Sequence, residues 1–186
     1  MNEGLATSKR FVIVLGLLTG LVAFAIDISL PAIPSMVLAL GTDMSMGQQV
    51  VGLFMAGMAF GQIPFGLISD RTGRLPVLYA GIGLFTVAGV VTSIGSNIEV
   101  VLLARFVQGF GSSAGLVLAR AIVRDISSGA QAARLMSVRV MVFTAAPMLA
   151  PMFGSFLVPI WGWRMPFAAT AMAGLMVLYG IRVSLR

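Results

Sequence analysis

The sequence predicts an all-α protein, a bundle of six helices that cross a membrane. Of its 186 residues, 59% are hydrophobic and only 10% are charged, and the mean hydropathy is +1.03. Soluble domains carry about 25% charged residues. The apolar residues form six runs, each close to the length of about 20 residues that crosses a hydrocarbon layer of about 30 Å. We therefore expect an integral membrane protein.

The predicted spans follow one another through short loops. In chain order they cover residues 11–33, 50–68, 76–95, 100–121, 136–160 and 165–184. The first run follows Lys9 and Arg10, as a secretory signal would, but it is too long and lacks a small-residue cleavage pattern. We expect a retained span. Because no linker or low-complexity segment divides the chain, a single transmembrane domain over 1–186 is expected.

Basic residues sort to one side of the predicted membrane. The side of the amino terminus receives Lys9, Arg10, Arg71, Arg74, Arg120, Arg124, Arg134, Arg182 and Arg186. The opposite loops carry Asp43, Glu99 and a single arginine, Arg164. By the positive-inside rule, both termini are expected in the cytoplasm. The net charge of +6 is then a topology signal, and no nucleic-acid partner is expected.

The chain contains no cysteine and no histidine. Disulfides, thiolate or imidazole metal ligands and histidine-based catalytic triads are therefore excluded. No pair of nucleophile and base and no cluster of metal ligands is visible in the sequence. The chain is thus expected to be neither an enzyme nor a carrier of a metal or organic cofactor.

Charged residues also fall inside the predicted spans. Asp27 would cost about 2.5 to 3.5 kcal/mol at the bilayer centre, so it is a functional candidate that needs a partner. Arg105 is the expected partner: Asp27 lies about 24 Å beyond Phe11, and Arg105 about 9 Å from Glu99 on the returning fourth span, which gives similar depths. The alternative is a permanent ion pair that only joins the two helices. Arg139 is expected to snorkel towards the headgroups.

The order of the spans predicts an internal repeat. The first and fourth spans each begin a group of three, and the two groups cross the membrane in opposite directions. This is the pattern of a 3+3 inverted-topology repeat, with a central site between corresponding helices. Pairs of glycines four residues apart, such as Gly16 with Gly20 and Gly57 with Gly61, are expected to let helices approach closely.

A turn after the second span concentrates one acid and two arginines in Gly66-Leu67-Ile68-Ser69-Asp70-Arg71-Thr72-Gly73-Arg74. Gly73 suits a backbone with positive φ. The segment resembles the signature loop of the major facilitator superfamily, although Leu75 stands where many members have another basic residue. The resemblance implies a cytoplasmic gate in which Arg74 pairs with Asp125 at the end of the fourth span. The alternative is a solvated loop that only sets topology.

The fourth span contains Arg105-Phe106-Val107-Gln108-Gly109-Phe110-Gly111, similar to the fourth-helix motif of proton-coupled members of that superfamily. Arg105 and Gln108 are three residues apart and share a helix face. The resemblance implies that both take part in coupling protons to substrate. A dinucleotide-binding fingerprint is disfavoured because no strand precedes these glycines.

The fifth span contains Ala146-Pro147 and then Ala150-Pro151-Met152-Phe153-Gly154-Ser155. This pattern is similar to the glycine-proline motif of antiporters in the superfamily, with Ala150 and Ser155 where glycines are usual. Two prolines four residues apart break the helical hydrogen-bond ladder and are expected to bend the helix. The resemblance to the antiporter motif, carried by Pro147, Pro151 and Gly154, implies export direction.

The first span narrows the resemblance, because Asp27-Ile28-Ser29-Leu30-Pro31-Ala32-Ile33-Pro34 resembles the Bcr/CflA group of drug-resistance transporters. The similarity covers nearly the whole chain but only the amino-terminal six-helix half of a twelve-span transporter. We expect the other half on the same full-length chain or on another copy. The resemblance implies proton-driven efflux of lipophilic or cationic small molecules through a bacterial inner membrane. A metabolite transporter of the superfamily and a non-transporting six-span scaffold or partner subunit are the alternatives.

Overall fold

The computed structural model describes residues 9–184, and all regular structure among them is helical. Six helical segments are long and apolar enough to span a membrane, as the sequence predicted. The first span comprises Lys9–Asp27, a 3-10 turn at Leu30–Ala32 and Ile33–Leu40, and the others are Met44–Thr72, Arg74–Ile94, Ile98–Ile126, Gly129–Trp161 and Arg164–Ser184. Arg186, assigned above to the basic side, lies outside the described residues.

Most helices extend beyond the apolar runs that predicted them. The second helix begins at Met44 because Asp43 Oδ1 accepts a hydrogen bond from the Met46 N–H at 2.8 Å. In the fourth span, Asn97 Oδ1 accepts from the Val100 N–H at 2.9 Å. Each cap satisfies one of the N–H groups that a helix start leaves free. The helix starts therefore follow polar caps that lie before the apolar residues.

The first span is interrupted at residues 28–32 and continues to Leu40, beyond the predicted end at residue 33. Pro31 has no N–H to donate to the carbonyl of Asp27, so the helical hydrogen-bond ladder is broken at this point. The backbone instead closes a tighter turn, in which the Ala32 N–H donates to Ser29 O at 3.1 Å. The span then ends at Gly41, whose φ of 64° is favourable only for glycine.

The helices pack in a two-fold pattern. The first span packs against the fifth and sixth, and the fourth packs against the second and third. The third and sixth spans also pack on each other, as do the first and fourth. A two-fold relation between spans one to three and spans four to six makes the first span equivalent to the fourth, the second to the fifth and the third to the sixth. The contacts follow this equivalence, so the inverted repeat is confirmed. The first and fourth spans are the most buried, whereas the second and fifth expose most of their surface.

Glycines bring the second and fourth spans into close contact. A Cβ at Gly57 would overlap Phe106 O, and a Cβ at Gly109 would overlap Phe54 O. The same holds more mildly between the first and fifth spans, where a Cβ at Gly20 would lie 2.9 Å from a methyl carbon of Val142. Small residues therefore set these helix separations, as the spacing predicted.

Candidate functional site

Arg105 lies at the centre of the bundle and is its largest fully buried side chain. Its Nη1 donates to Gln108 Oε1 at 2.9 Å, and its Nε donates to Val50 O at 3.3 Å. Nη2 reaches the first span, where it donates to Ala25 O at 3.2 Å and to Ser29 Oγ at 3.4 Å. One guanidinium therefore connects the first, second and fourth spans.

Two aromatic rings and a polar chain complete this arrangement. The Arg105 Cζ lies 4.4 Å from the centroid of the Phe54 ring and 5.5 Å from that of Phe167, within range for cation–π attraction. Gln108 Nε2 donates to Thr170 Oγ1 at 2.9 Å, and that hydroxyl donates to Phe167 O at 2.7 Å. The network thereby reaches the sixth span.

Arg105 contacts the first span at its interruption. There, Ala25 O accepts from Arg105 Nη2, and Ile26 O accepts from Ser29 Oγ at 2.6 Å. In a hydrocarbon environment, carbonyls near a break need partners inside the protein because no lipid group can supply them. Arg105 and Ser29 therefore stabilise the broken conformation of the first span.

Asp27 does not pair with Arg105, so the predicted partnership is wrong. Within residues 9–184, the ion pairs within 4.0 Å all involve Arg74. The two residues do lie at similar depth, since Arg105 binds Ala25 and Ser29 on either side of Asp27. A helix turns about 100° per residue, which places Ala25 and Ser29 on one face and Asp27 on nearly the opposite one. Similar depth therefore does not bring the side chains of Asp27 and Arg105 together, because rotation about the helix axis directs them to different faces.

Asp27 is half-buried at the end of the first helix, on the face that turns towards the fifth span. Gly20 and Phe24 precede it on this face, and both line an apolar cavity of about 400 Å³ between the first, fifth and sixth spans. Asp27 lies one helical turn beyond Phe24. The carboxylate and the buried guanidinium therefore lie on opposite faces of the same interruption.

Arg139 is buried, and the expectation that it snorkels to the headgroups is wrong. Its Nε donates to Thr19 Oγ1 at 3.0 Å, and its Nη2 donates to Leu116 O at 3.4 Å. These acceptors belong to the first and fourth spans, so the guanidinium is directed into the bundle. Snorkelling was inferred from depth along one helix, and the acceptors come from other helices.

The turn between the second and third spans places its charges as the resemblance implied. Arg74 Nε donates to Asp125 Oδ2 at 3.1 Å, and Arg74 Nη1 contacts Asp70 Oδ1 at 2.5 Å and Ser69 Oγ at 2.7 Å. Gly73, with φ of 94°, forms the turn. Gly66 lines a neighbouring cavity with Asp70 and Arg74, and Arg71 is exposed.

The fifth span continues as one helix from Gly129 to Trp161, so Pro147 and Pro151 do not end it. Gly154 lies against the interruption of the first span, where a Cβ would overlap Ile28 O. Gly57 contacts the fourth span in the same way, at the carbonyl that follows Arg105. Asp27 and Arg105 thus each lie one residue before a carbonyl that a glycine of a neighbouring span approaches.

Sequence analysis missed Val50, Phe54, Phe167 and Thr170. A threonine within an apolar run carries no signal of its own, and the aromatic residues resemble ordinary packing residues. Only the fold shows that they surround one guanidinium. The site is a permanent cation whose hydrogen-bond acceptors are neutral carbonyl, amide and hydroxyl oxygens.

Comparison with known proteins agrees with this architecture. Residues 15–184 match the Major Facilitator Superfamily. The chain is 34% identical to the MFS-type transporter YdgK of Bacillus subtilis (strain 168), with 92% of the chain and 43% of the relative covered. It is 32% identical to a bicyclomycin resistance protein homolog of Haemophilus influenzae, with 89% and 42% covered. It is 33% identical to multidrug resistance protein D of Escherichia coli (strain K12), with 83% and 39% covered.

A solved structure shows the same fold. The D-xylose-proton symporter superposes with a TM-score of 0.80 at 16% sequence identity, over 93% of this chain and 47% of the symporter. The chain thus spans less than half the length of the curated relatives it matches. The match over most of its residues confirms the resemblance inferred from the turn and the fourth-span motif. The chain belongs to the Major Facilitator Superfamily, a family of transporters rather than enzymes.

Proposed function

We propose that this chain forms the amino-terminal half of a proton-driven exporter of lipophilic or cationic small molecules, located in a bacterial inner membrane with both termini in the cytoplasm. The names of two relatives, a bicyclomycin resistance protein homolog and a multidrug resistance protein, support the substrate class. The exposed faces of the second and fifth spans suit a second six-helix half, because only 22% and 11% of the residues in their apolar stretches are buried within 9–184. The relatives, about twice as long, have room for that half.

The observation that carries the proposal is the pair of opposite charges at similar depth, one on the first span of each repeat. Arg105 is a fixed cation, since a guanidinium does not lose its proton in proteins. Asp27 is the titratable member, half-buried at the interruption of the first span. A charge inside a membrane protein is costly and is retained where transport uses it.

In this mechanism, Asp27 binds either a proton or a cationic substrate. Opening towards the outside lets the acid take up a proton, which neutralises the carboxylate and releases the cation. Opening towards the cytoplasm lets the proton leave, and the carboxylate attracts the next cation. Arg105 keeps the first span in its broken conformation through Ala25 O and Ser29 Oγ during both steps.

The cytoplasmic gate of this cycle is formed by Arg74, Asp70 and Asp125. The side chains of Arg74 and Asp125 are 25% and 42% exposed. Exposed ion pairs contribute only about 0 to 1 kcal/mol. The pair can therefore hold the closed state and still break once per cycle. Pro147, Pro151 and Gly154 support the export direction through their similarity to the antiporter motif.

The test uses the full-length protein reconstituted in proteoliposomes with an imposed pH gradient. Ethidium, tetraphenylphosphonium and a neutral lipophilic dye serve as probes. Wild-type protein is expected to move at least one cationic probe against the direction of proton flow. The substitution Asp27→Asn is expected to abolish gradient-driven transport, whereas Glu99→Gln, an acid in the first turn of the fourth span, leaves it unchanged. Transport by Asp27→Asn with intact proton coupling would overturn the proposal.

A further inference from the structure

A second buried arginine lies away from the Arg105 site, at the end of the bundle that carries Arg74 and Asp125. It borders a cavity of about 340 Å³ between the first, fourth and fifth spans, lined by Thr19, Leu116, Arg120, Arg139, Val140 and Phe143. Arg139 is 7% exposed, whereas Arg120 is exposed. We call this cavity the two-arginine cavity. It is large enough for a small anion or the headgroup of a lipid.

The guanidinium of Arg139 is not fully satisfied by protein oxygens. Nε donates to Thr19 Oγ1 and Nη2 to Leu116 O, the latter at a long 3.4 Å. Nη1 faces the sulfur of Met136 at 3.8 Å, and a thioether is a weak acceptor. Because a guanidinium has five N–H donors, part of this group is left for a further acceptor inside the cavity.

The two-arginine cavity has an uncompensated positive charge. Arg120 and Arg139 line the same cavity, so their positive charges repel each other. Across residues 9–184, neither has a carboxylate oxygen within 4.0 Å. Asp70 borders an adjoining cavity with Arg120 and Arg124, but its carboxylate is bound to Arg74. Two like charges on one cavity, one of them buried, raise the electrostatic energy of the folded protein, and an anion bound between them would offset this cost.

The depth of the cavity fits the headgroup region of a membrane. Arg139 is ten residues from the helix end at Gly129, which is about 15 Å. Arg120 is six residues from the end at Ile126, about 9 Å. Helices of this length, about 44 to 50 Å, extend about 7 to 10 Å beyond each side of a 30 Å hydrocarbon core. Arg120 therefore lies near the hydrocarbon boundary and Arg139 slightly below it.

We propose that the two-arginine cavity binds a phosphate-type anion, either the headgroup phosphate of an anionic phospholipid or a soluble phosphate. Guanidinium groups match phosphate oxygens with paired, charge-assisted hydrogen bonds. Bound there, the anion joins the first, fourth and fifth spans through Arg120 and Arg139. This site does not depend on the proposed export function, since neither Asp27 nor Arg105 lines the cavity.

The test measures thermal unfolding of the full-length, delipidated protein in detergent by tryptophan fluorescence. Inorganic phosphate, phosphatidylglycerol and phosphatidylcholine are titrated separately. Arg120→Gln is the main variant because the side chain of Arg120 is exposed. Arg139→Gln is the second variant. Arg134→Gln is the matched control. It removes the same charge from an exposed position outside the cavity, on the helix that carries Arg139.

Saturable stabilisation by phosphate would indicate a soluble anion, and stabilisation by phosphatidylglycerol alone would indicate a headgroup. In either case, Arg120→Gln is expected to weaken the apparent affinity about tenfold or more, the loss of one charge-assisted hydrogen bond. Arg134→Gln should bind as the wild type does. The proposal is overturned if neither anion stabilises the protein, if phosphatidylcholine acts equally, or if Arg120→Gln and Arg134→Gln respond alike.

Discussion

Replacing Gln108 with leucine tests whether the buried Arg105 depends on neutral acceptors. The substitution replaces the polar amide with an apolar side chain of similar size and removes the shortest hydrogen bond of the guanidinium, 2.9 Å to Oε1. A hydrogen bond to a charged group is worth about 1.5 to 3 kcal/mol. The charge stays buried because Arg105 is fully enclosed. Because leucine also loses the 2.9 Å bond to Thr170 Oγ1, we expect Gln108→Leu to lower the free energy of unfolding by at least this amount.

Thr170→Val provides the matched control. It removes the other hydrogen bond of Gln108, which joins two neutral groups at 2.9 Å and is worth about 0.5 to 1.5 kcal/mol. The smaller effect is therefore expected from Thr170→Val. Unfolding by a denaturing detergent, followed through Trp161 and Trp163, measures both variants against the wild type.

A double variant gives the sign of the interaction. Once Gln108 is leucine, removing the under-solvated charge with Arg105→Met should recover part of the lost stability, because the cost of burying an uncompensated cation disappears. The reasoning is refuted if Gln108→Leu is no less stable than Thr170→Val, or if Arg105→Met adds its full cost in the Gln108→Leu background.

Two further predictions concern packing and the gate. Gly57→Ala should destabilise the protein by about 1 to 3 kcal/mol, because the new Cβ would overlap Phe106 O. Gly52→Ala should be close to neutral, because no atom lies within 4 Å of its Cβ. Equal free energies of unfolding of the two variants would contradict the packing account. Asp125→Asn should change the free energy of unfolding by less than about 1 kcal/mol, because the 3.1 Å pair with Arg74 is exposed, yet it should alter the rate of transport measured in proteoliposomes. An unchanged transport rate would contradict the proposal that Arg74 and Asp125 form a cytoplasmic gate.

The lengths of the apolar runs predicted the six spans, because a membrane requires an apolar helix wherever the chain crosses it. The order of the spans then predicted the repeat. The ends of the helices were harder to predict from the sequence, since the second and fourth helices start at the polar caps Asp43 and Asn97, outside the apolar runs. The interruption at Pro31 was missed because the residues around it are apolar and continue the hydropathy of a single span.

The contacts of the site could be predicted only in part. Arg74 and Asp125 meet as the motif implied, since both lie at turns whose positions the spans fix. Asp27 and Arg105 were matched by depth, but side-chain direction depends on rotation about the helix axis, which the sequence alone did not give. Thr170 reaches Gln108 from 62 residues away, a contact between the sixth and fourth spans that exists only in the folded bundle.

The central claim is that Asp27 exchanges a proton for a cationic substrate, and proton release on binding tests it most directly. Full-length protein in weakly buffered detergent is mixed with the cation that the wild type transports, and a pH indicator records the protons released. The account predicts release on binding by the wild type and by Glu99→Gln. Asp27→Asn should release none, and undiminished release by Asp27→Asn would contradict the account.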